Sequence, residues 1–204
     1  MTDNAKRSFP WGKLLIILGV LLLAAGAVLF LGNRAEEIAA EQSARRLLAA
    51  VESEIMAKGE DPLPEHAPKP GKEPAPPLEE LYAVDGILTI PKIGITLPVL
   101  RDYSEDLLRV SVCIFERETG EDGRMVLAGH DYKSHFGKIK TLVPGDAVDY
   151  ETLSGGLRHY TVIEVTAIDP DDRAGLEAGE WDMTLLTCNR DLSKRILVRL
   201  GRTD

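Results

Sequence analysis

Cys188 and Arg195 are two residues whose types and spacing could act together in chemistry. Cys188 ends the apolar run WDMTLLTC, and Arg195 opens the next apolar run after six intervening residues. If those six residues form a hairpin loop, antiparallel pairing places the thiol and the guanidinium on the same face. A cation beside a thiol favours the nucleophilic thiolate. A guanidinium also offers a substrate oxygen a planar fork of donors, which lysine lacks.

Residue alternation after Arg195 predicts which face these two groups occupy. Ile196, Val198 and Leu200 share one side of the strand and are predicted to face the core. Arg195 and Arg199 share the other side and are predicted to face outward. A thiol opposed to the first arginine would then also face outward, where a substrate could reach it.

Histidine could supply acid–base chemistry, and one of the four histidines is well placed. His130 follows an apolar run and a glycine, which predicts that it lies at the rim of a sheet. His66 falls in a proline-rich stretch and His159 within a strand, so both are interpreted as incidental. The series His130-Asp131-x-x-x-His135 fits no standard zinc motif, so neither a metal nor a cofactor is expected.

The two cysteines leave a structural alternative open. A lone cysteine in an apolar strand is usually a small buried hydrophobic residue, and Cys113 in SVCIF fits that description. A disulfide between Cys113 and Cys188 is also possible outside the cytoplasm, and it would make Cys188 structural. The chain would then be a membrane-anchored binding module without catalysis.

Composition excludes some classes of protein. The chain carries 24 Lys+Arg against 33 Asp+Glu, a net charge of −9, which argues against a nucleic-acid partner. Hydrophobic residues make up 44% and charged residues 28%, values that are ordinary for a folded domain.

An apolar segment near the N-terminus predicts a membrane anchor. Leu14–Gly32 contains nineteen residues without a charged side chain, which as a helix extends about 28 Å, close to the hydrocarbon thickness of a bilayer. Basic residues precede this segment and acidic residues outnumber Arg34 after it, so residues 1–13 are predicted to be cytoplasmic and the rest extracellular. The run exceeds the usual length of a signal-peptide core, which favours an uncleaved anchor over a cleaved signal peptide.

Two connecting segments follow the anchor. Residues 33–60 are rich in good helix formers and are interpreted as a helical stalk, a solvated spacer, because their apolar pattern is short and not heptad-strict. Residues 61–80 are rich in proline and predict a semi-rigid extended linker. The working domain is therefore assigned to residues 81–204.

This domain has the pattern of a mostly β protein. Many short strand-like runs at close spacing predict a sandwich or barrel. Ser104, followed by two acidic residues, predicts the start of a short helix. Ser154–Gly156 predicts a hairpin turn between strands at 147–153 and 157–168. Asp169–Glu180 is interpreted either as a mobile loop over a groove or as a solvated acidic connection.

Three sequence motifs occur along the domain, each with a recognisable form. TLLTC (Thr184–Cys188) followed by Arg195 is similar to the sortase signature TLxTC with its downstream arginine. LAGHDYKSHFGKIKTLVPGDAV (Leu127–Val148) and LTIPKIGITLPVL (Leu88–Leu100) resemble the histidine segment and the first strand pair of that family. The resemblance implies a closed eight-stranded sortase-type β-barrel with short helices, preceded by a transmembrane helix and a stalk.

The resemblance also implies an activity and a set of roles. The activity is that of a cysteine transpeptidase outside a Gram-positive cell membrane, cutting an LPxTG-like sorting signal through a thioester. It then transfers the protein to an amine of a cell-wall precursor or to a pilin lysine. Cys188 matches the nucleophile, His130 the histidine and Arg195 the arginine, and Thr187 is expected to bind substrate. An L,D-transpeptidase-like enzyme is the alternative, but such enzymes place the cysteine after His-Gly, which Leu186–Thr187 does not match.

Overall fold

The computed structural model describes residues 11–59, 83–118, 123–189 and 192–203. The chain forms two compact units that divide between Ile38 and Ala39. Helix α1, Trp11–Gly59, begins in the first unit and ends in the second. The linker predicted at 61–80, with His66, lies outside the described residues.

The first unit is the apolar part of α1. Large apolar side chains from Leu14 to Leu31 are exposed along it. By length and composition this helix can cross a membrane. An apolar surface on all sides is expected of a helix whose solvent is hydrocarbon, which suggests a membrane anchor.

The second unit is built on a closed barrel of eight strands in the order β1-β2-β3-β4-β7-β8-β6-β5. In the described part of this unit, two short helices and two 3-10 turns lie between the strands. The strands are β1 Val84–Ile90, β2 Ile95–Leu100, β3 Val112–Arg117, β4 Met125–Ala128, β5 Ala147–Thr152, β6 Leu157–Ile168, β7 Met183–Cys188 and β8 Arg195–Arg202. The short helices are α2 Glu105–Leu108 and α3 Arg173–Glu177, and the 3-10 turns are Pro91–Ile93 and Ile139–Thr141. The predicted eight-stranded barrel is confirmed.

Local chemistry explains the connection between the first two strands. Proline starts the 3-10 turn at Pro91, where its missing N–H is not needed. Gly94 ends the turn with φ of 65°, a left-handed conformation that favours glycine. Pro98 lies inside β2, but β2 pairs with β3 only from Val99 onward. Before that point β2 has a single neighbour, so a residue without an N–H is tolerated there.

The crossover from β2 to β3 contains α2, the short helix predicted after Ser104. The Ser104 side chain accepts a hydrogen bond from the backbone N–H of Leu107 at 3.1 Å. Glu105 and Asp106 lie in the first turn, where their carboxylates stabilise the helix by interacting with its unpaired backbone N–H groups. The hairpin turn between β5 and β6 is also where the sequence predicts it.

The expectation of a solvated helical spacer is wrong for the later part of α1. Ala40, Ala44, Leu47 and Val51 are buried within the second unit and form one stripe at helical spacing. Ala44 joins the barrel's main hydrophobic cluster, and Leu47 and Val51 join a second cluster on its outer side. Two of the four buried residues are alanines in an alanine-rich segment, so apolar periodicity alone did not distinguish the packed face.

Arg199 lies on the outward face of β8, as predicted, but it is not exposed to solvent. Val198 and Leu200 pack in the main cluster, so Arg199 does lie on the opposite side of β8. That side is covered by α3, however, and Arg199 is only 3% exposed. Strand alternation gives the face of a residue but not what covers that face.

Candidate active site

The β7–β8 hairpin places Cys188 directly opposite Arg195. The two residues are partners in the antiparallel register. The backbone N–H of Asn189 donates to the Lys194 carbonyl at 3.0 Å, and the Asn189 side-chain oxygen accepts from the Lys194 N–H at 3.0 Å. These bonds close the loop at its base, so the thiol and the guanidinium share one face, as the hairpin prediction requires.

His130 is carried to the same end of the barrel by the parallel pairing of β4 with β7. Ala128 is the register partner of Leu186, and the Gly129 N–H donates to the Leu186 carbonyl at 3.0 Å. Continuing this register by two residues brings His130 alongside Cys188. The histidine and the cysteine thus follow neighbouring strands that run in the same direction.

Thr187 ties these two strands together. Its side-chain hydroxyl donates to the Gly129 carbonyl at 2.8 Å, and the residue is 3% exposed. The bond holds the backbone just before His130 against β7. The residue expected to bind substrate therefore has its hydroxyl engaged within the protein, although it lies on the wall of the same cavity.

Cys188, His130 and Arg195 all line one cavity of about 130 Å³. Each of the three side chains is partly exposed. Residues of α2 and β3 also line this cavity, as does Tyr103 just before α2, and the rings of Tyr103 and Phe115 meet edge to face at 5.0 Å. These two aromatic residues were not singled out in the sequence, because no spacing rule connects them to the cysteine.

Arg195 is oriented by the connection between β6 and β7. Its Nε donates to the Pro170 carbonyl at 2.7 Å. Among the described residues this is the hydrogen bond that the guanidinium makes, so its two terminal nitrogens are left for a substrate oxygen. The stretch 169–180, interpreted as a mobile loop or a solvated connection, contains α3 and is bonded to β8 at this point.

The two cysteines have different environments, and both are free thiols. Cys113 is fully buried in the outer cluster, and burial raises the pKa of its thiol to about 12. Cys188 is partly exposed at the cavity. The structure has no disulfide between them, so the thiol of Cys188 is available.

His135 is a second histidine close to the site. It is fully buried, and burial is the main reason why its pKa is lowered to about 4. The nearby His130 lowers this pKa further, whereas the Ala40 backbone raises it. The Tyr132 ring lies between the two histidines, at 4.9 Å from His130 and 5.5 Å from His135. The sequence offered His135 only as a metal ligand, whereas its burial makes it a neutral packing residue.

A thiol, an imidazole and a guanidinium on one cavity of a closed barrel can carry out covalent acyl transfer. The family model of the sortase domain matches residues 88–202. The chain belongs to the sortase family, and family membership implies a cysteine transpeptidase.

Solved sortase structures share this fold. Sortase C1 from Streptococcus agalactiae is 28% identical over 58% of this chain and 67% of that chain, with a TM-score of 0.52. Sortase C from Clostridium perfringens SM101 is 26% identical over 80% of this chain and 90% of that chain, with a TM-score of 0.52. Sortase A from Listeria monocytogenes is 25% identical over 60% of this chain and 88% of that chain, with a TM-score of 0.54. A comparison with curated proteins found no match.

Proposed function

We propose that this sortase is anchored in the membrane by residues 14–32 and cuts an LPxTG-like sorting signal, then transfers the protein to an amine. The observation that carries this proposal is the shared cavity of Cys188, His130 and Arg195 on a sortase barrel. The reaction class requires a nucleophile, a proton carrier and a group that stabilises an oxyanion. The three side chains supply one of each.

The first half of the reaction forms an acyl-enzyme. The Cys188 thiolate attacks the carbonyl carbon of the scissile peptide bond, and the carbonyl oxygen becomes an oxyanion. The terminal N–H groups of Arg195 donate to that oxyanion, since Pro170 occupies only the Nε. His130, as an imidazolium, gives its proton to the leaving amine. The C–N bond breaks and a thioester to Cys188 remains.

The second half transfers the acyl group to the acceptor. The acceptor amine attacks the thioester carbonyl, and neutral His130 takes the proton that the amine loses. The C–S bond breaks and the Cys188 thiolate leaves. A bound amine outcompetes water because it is held at the reacting carbon.

Thr187 has a positioning part in this proposal. Its hydroxyl donates to the Gly129 carbonyl, which holds the turn before His130, and the residue lines the cavity where we place the substrate. This arrangement keeps the imidazole and the thiol in register.

The donor and the acceptor are proposed by class. The donor is the sorting-signal peptide of a secreted protein. The acceptor is an amine of a cell-wall precursor or a pilin lysine. The structure of Sortase C from Streptococcus pneumoniae, 25% identical over 59% of this chain and 69% of that chain with a TM-score of 0.53, gives insight into pilin substrate specificity, which supports testing the lysine acceptor. The charge bias around the apolar helix supports a cytoplasmic N-terminus and an extracellular barrel.

The test uses the full chain in detergent micelles. It is incubated with a library of LPxTG-like peptides and with oligoglycine or lysine amines, and products are identified by mass. We expect a peptide adduct on Cys188 and amine-dependent release of a transpeptidation product. Cys188→Ala should abolish both, and Cys113→Ala, the matched control, should retain them. Transfer by the Cys188→Ala variant, or none by the parent protein with any pair, would contradict the proposal.

A further inference from the structure

Arg199 lies on the outer side of β8, four residues beyond Arg195 and opposite Thr184 of β7. It is 3% exposed, and burial lowers the pKa of its guanidinium. Among the described residues no carboxylate forms an ion pair with it. A buried cation costs free energy unless its donors are used, so its contacts indicate why this position carries arginine.

The guanidinium bonds to the backbone at the end of α3. Nη1 of Arg199 donates to the Leu176 carbonyl at 2.8 Å and to the Thr184 hydroxyl at 2.9 Å. Nη2 donates to the Gly175 carbonyl at 2.6 Å. Carbonyls at the end of a helix have no partner within the helix, and a cation there is favourable. Arg199 thus joins α3 to both strands of the β7–β8 pair.

Helix α3 needs such an anchor because it is only five residues long. A helix of this length is unstable by itself in water. Its N-terminus is capped by Asp172, whose side chain accepts from the Gly175 N–H at 2.8 Å. Its other end depends on Arg199 and on Leu176, which is buried in the outer cluster.

The same connection also holds Arg195. The Pro170 carbonyl, which accepts from Nε of Arg195, lies five residues before the Gly175 carbonyl, which accepts from Arg199. Lys194 adds an ion pair with Asp169 at 2.7 Å. Arg195 and Arg199, on one face of β8, therefore both bind the connection between β6 and β7. Arg195 binds it at the cavity, and Arg199 binds it at the end of α3.

We infer that Arg199 is a positioning residue for acyl transfer, because it fixes α3 and, through Pro170, the direction of the Arg195 guanidinium. This inference rests on the proposed function of Arg195 as the group that meets the oxyanion. A loosened connection would affect the oxyanion state more than substrate binding. Loss of Arg199 should therefore lower kcat and leave KM nearly unchanged.

The kinetic test compares variants of the full chain in micelles. Arg199→Met keeps the side-chain length but removes the donors, and we expect kcat to fall by about tenfold or more while KM changes by less than about threefold. Arg199→Lys keeps the charge and should restore part of the lost kcat. The matched control is Arg173→Met, because Arg173 belongs to α3 but pairs with Glu116 and Glu177 at the surface. It should behave like the parent protein.

A spectroscopic test does not depend on catalysis. Trp181 lies in the same connection, donates its indole N–H to the Ala178 carbonyl at 2.8 Å and lies 6.0 Å from the Arg199 guanidinium carbon. The sequence has two tryptophans, so Trp11→Phe leaves Trp181 as the one emitter. We expect Arg199→Met to shift Trp181 emission and increase its quenching by iodide, with far-ultraviolet circular dichroism unchanged.

The outcomes distinguish failure of the positioning role of Arg199 from failure of the proposed function. Unchanged kcat in a folded Arg199→Met variant, or a lower kcat with unchanged Trp181 emission, would overturn the inference. If Arg199→Met fails to fold, the same two readings on Arg199→Lys decide it. If the parent protein transfers no acyl group, the proposed function fails, and unchanged Trp181 emission would still show that Arg199 does not hold the connection.

Discussion

The two cysteines lie in different surroundings, one buried and one at the cavity. Cys113 is sealed in the outer cluster with its thiol held in the protonated form, since burial raises the pKa to about 12. Cys188 ends β7 at the cavity, opposite a guanidinium. Because the thiolate is the reactive form, both burial and a raised pKa make Cys113 unreactive, whereas Cys188 is accessible at the cavity.

We predict selective alkylation as a result. Iodoacetamide at neutral pH should modify Cys188 in the native protein and spare Cys113 until denaturant is added, as measured by peptide mass mapping. Cys188→Ala should give a native protein with no fast-reacting thiol. Rapid native modification of Cys113 would show that the outer cluster opens and that the burial argument is incorrect.

Arg195 should not tolerate replacement by lysine. Lysine keeps the charge but loses the planar fork that can bond Pro170 and an oxyanion at once. We expect Arg195→Lys to lower kcat/KM by about a hundredfold or more, in the range of a lost oxyanion donor. Steady-state transfer assays check this value, with Lys92→Met as the control, because Lys92 lies at the surface between β1 and β2. Near-parental turnover by Arg195→Lys would remove the proposed role.

His135 makes stability depend on pH in a defined direction. Its pKa is about 6.5 in the unfolded chain and about 4 in the folded one, because burial disfavours the charged ring. Between these values the unfolded state binds a proton that the folded state does not, so stability falls as pH is lowered from 6.5 to 4. The loss approaches about 3 kcal/mol by pH 4 and then levels off.

The measurement is urea unfolding between pH 7.5 and 4. His135→Phe should reduce the slope over this window relative to the parent protein. His159→Gln is the control, because His159 is a half-exposed residue paired with Asp149 at the surface. Equal slopes for the parent protein and the His135→Phe variant would contradict the buried, neutral assignment.

At the scale of elements, α1 is both an apolar helix and part of the barrel's packing. Its buried residues between Ala40 and Val51 pack into the hydrophobic clusters that also contain residues of β1, β2 and β4. It also places the Ala40 backbone beside His135, which belongs to the segment that follows His130. The helix therefore supports the loop that carries the histidine of the site.

Leu47→Glu should destabilise the barrel unit. Leu47 is 1% exposed, so the substitution removes a packed side chain and buries a carboxylate. We expect a loss of about 3 kcal/mol or more, measured by urea unfolding. Ala49→Glu, on the exposed side of the same helix, should cost less than about 0.5 kcal/mol. Similar effects for the two variants would show that α1 does not pack on the barrel in solution.

Sequence patterns predicted the strands and the cysteine–arginine pairing for a physical reason. Both depend on local alternation and on a hairpin with a short loop. What covers each face was not predictable in this way. Arg199 is buried by residues 173–177, from an acidic stretch that looks solvated when read alone. The packed stripe of α1 includes Ala40 and Ala44, and the sequence does not distinguish these alanines from the exposed alanines of the same segment.

At the scale of the whole molecule, distant segments assemble the site. Residues near 130, 188 and 195 meet because β7 lies between β4 and β8 in the closed barrel. His130 depends on a parallel pairing across more than fifty residues, shown by the Thr187–Gly129 bond. Such long-range pairings form slowly because loop closure must precede them.

This strand order has a consequence for the timing of reactivity during biogenesis. A nascent polypeptide that has emerged only as far as β6 has no neighbour for β4 on the side that β7 later fills. The sulfur, the imidazole and the guanidinium therefore line one cavity only when β7 and β8 have both joined the barrel. In the proposed reaction, acyl transfer can therefore begin only once the barrel is complete.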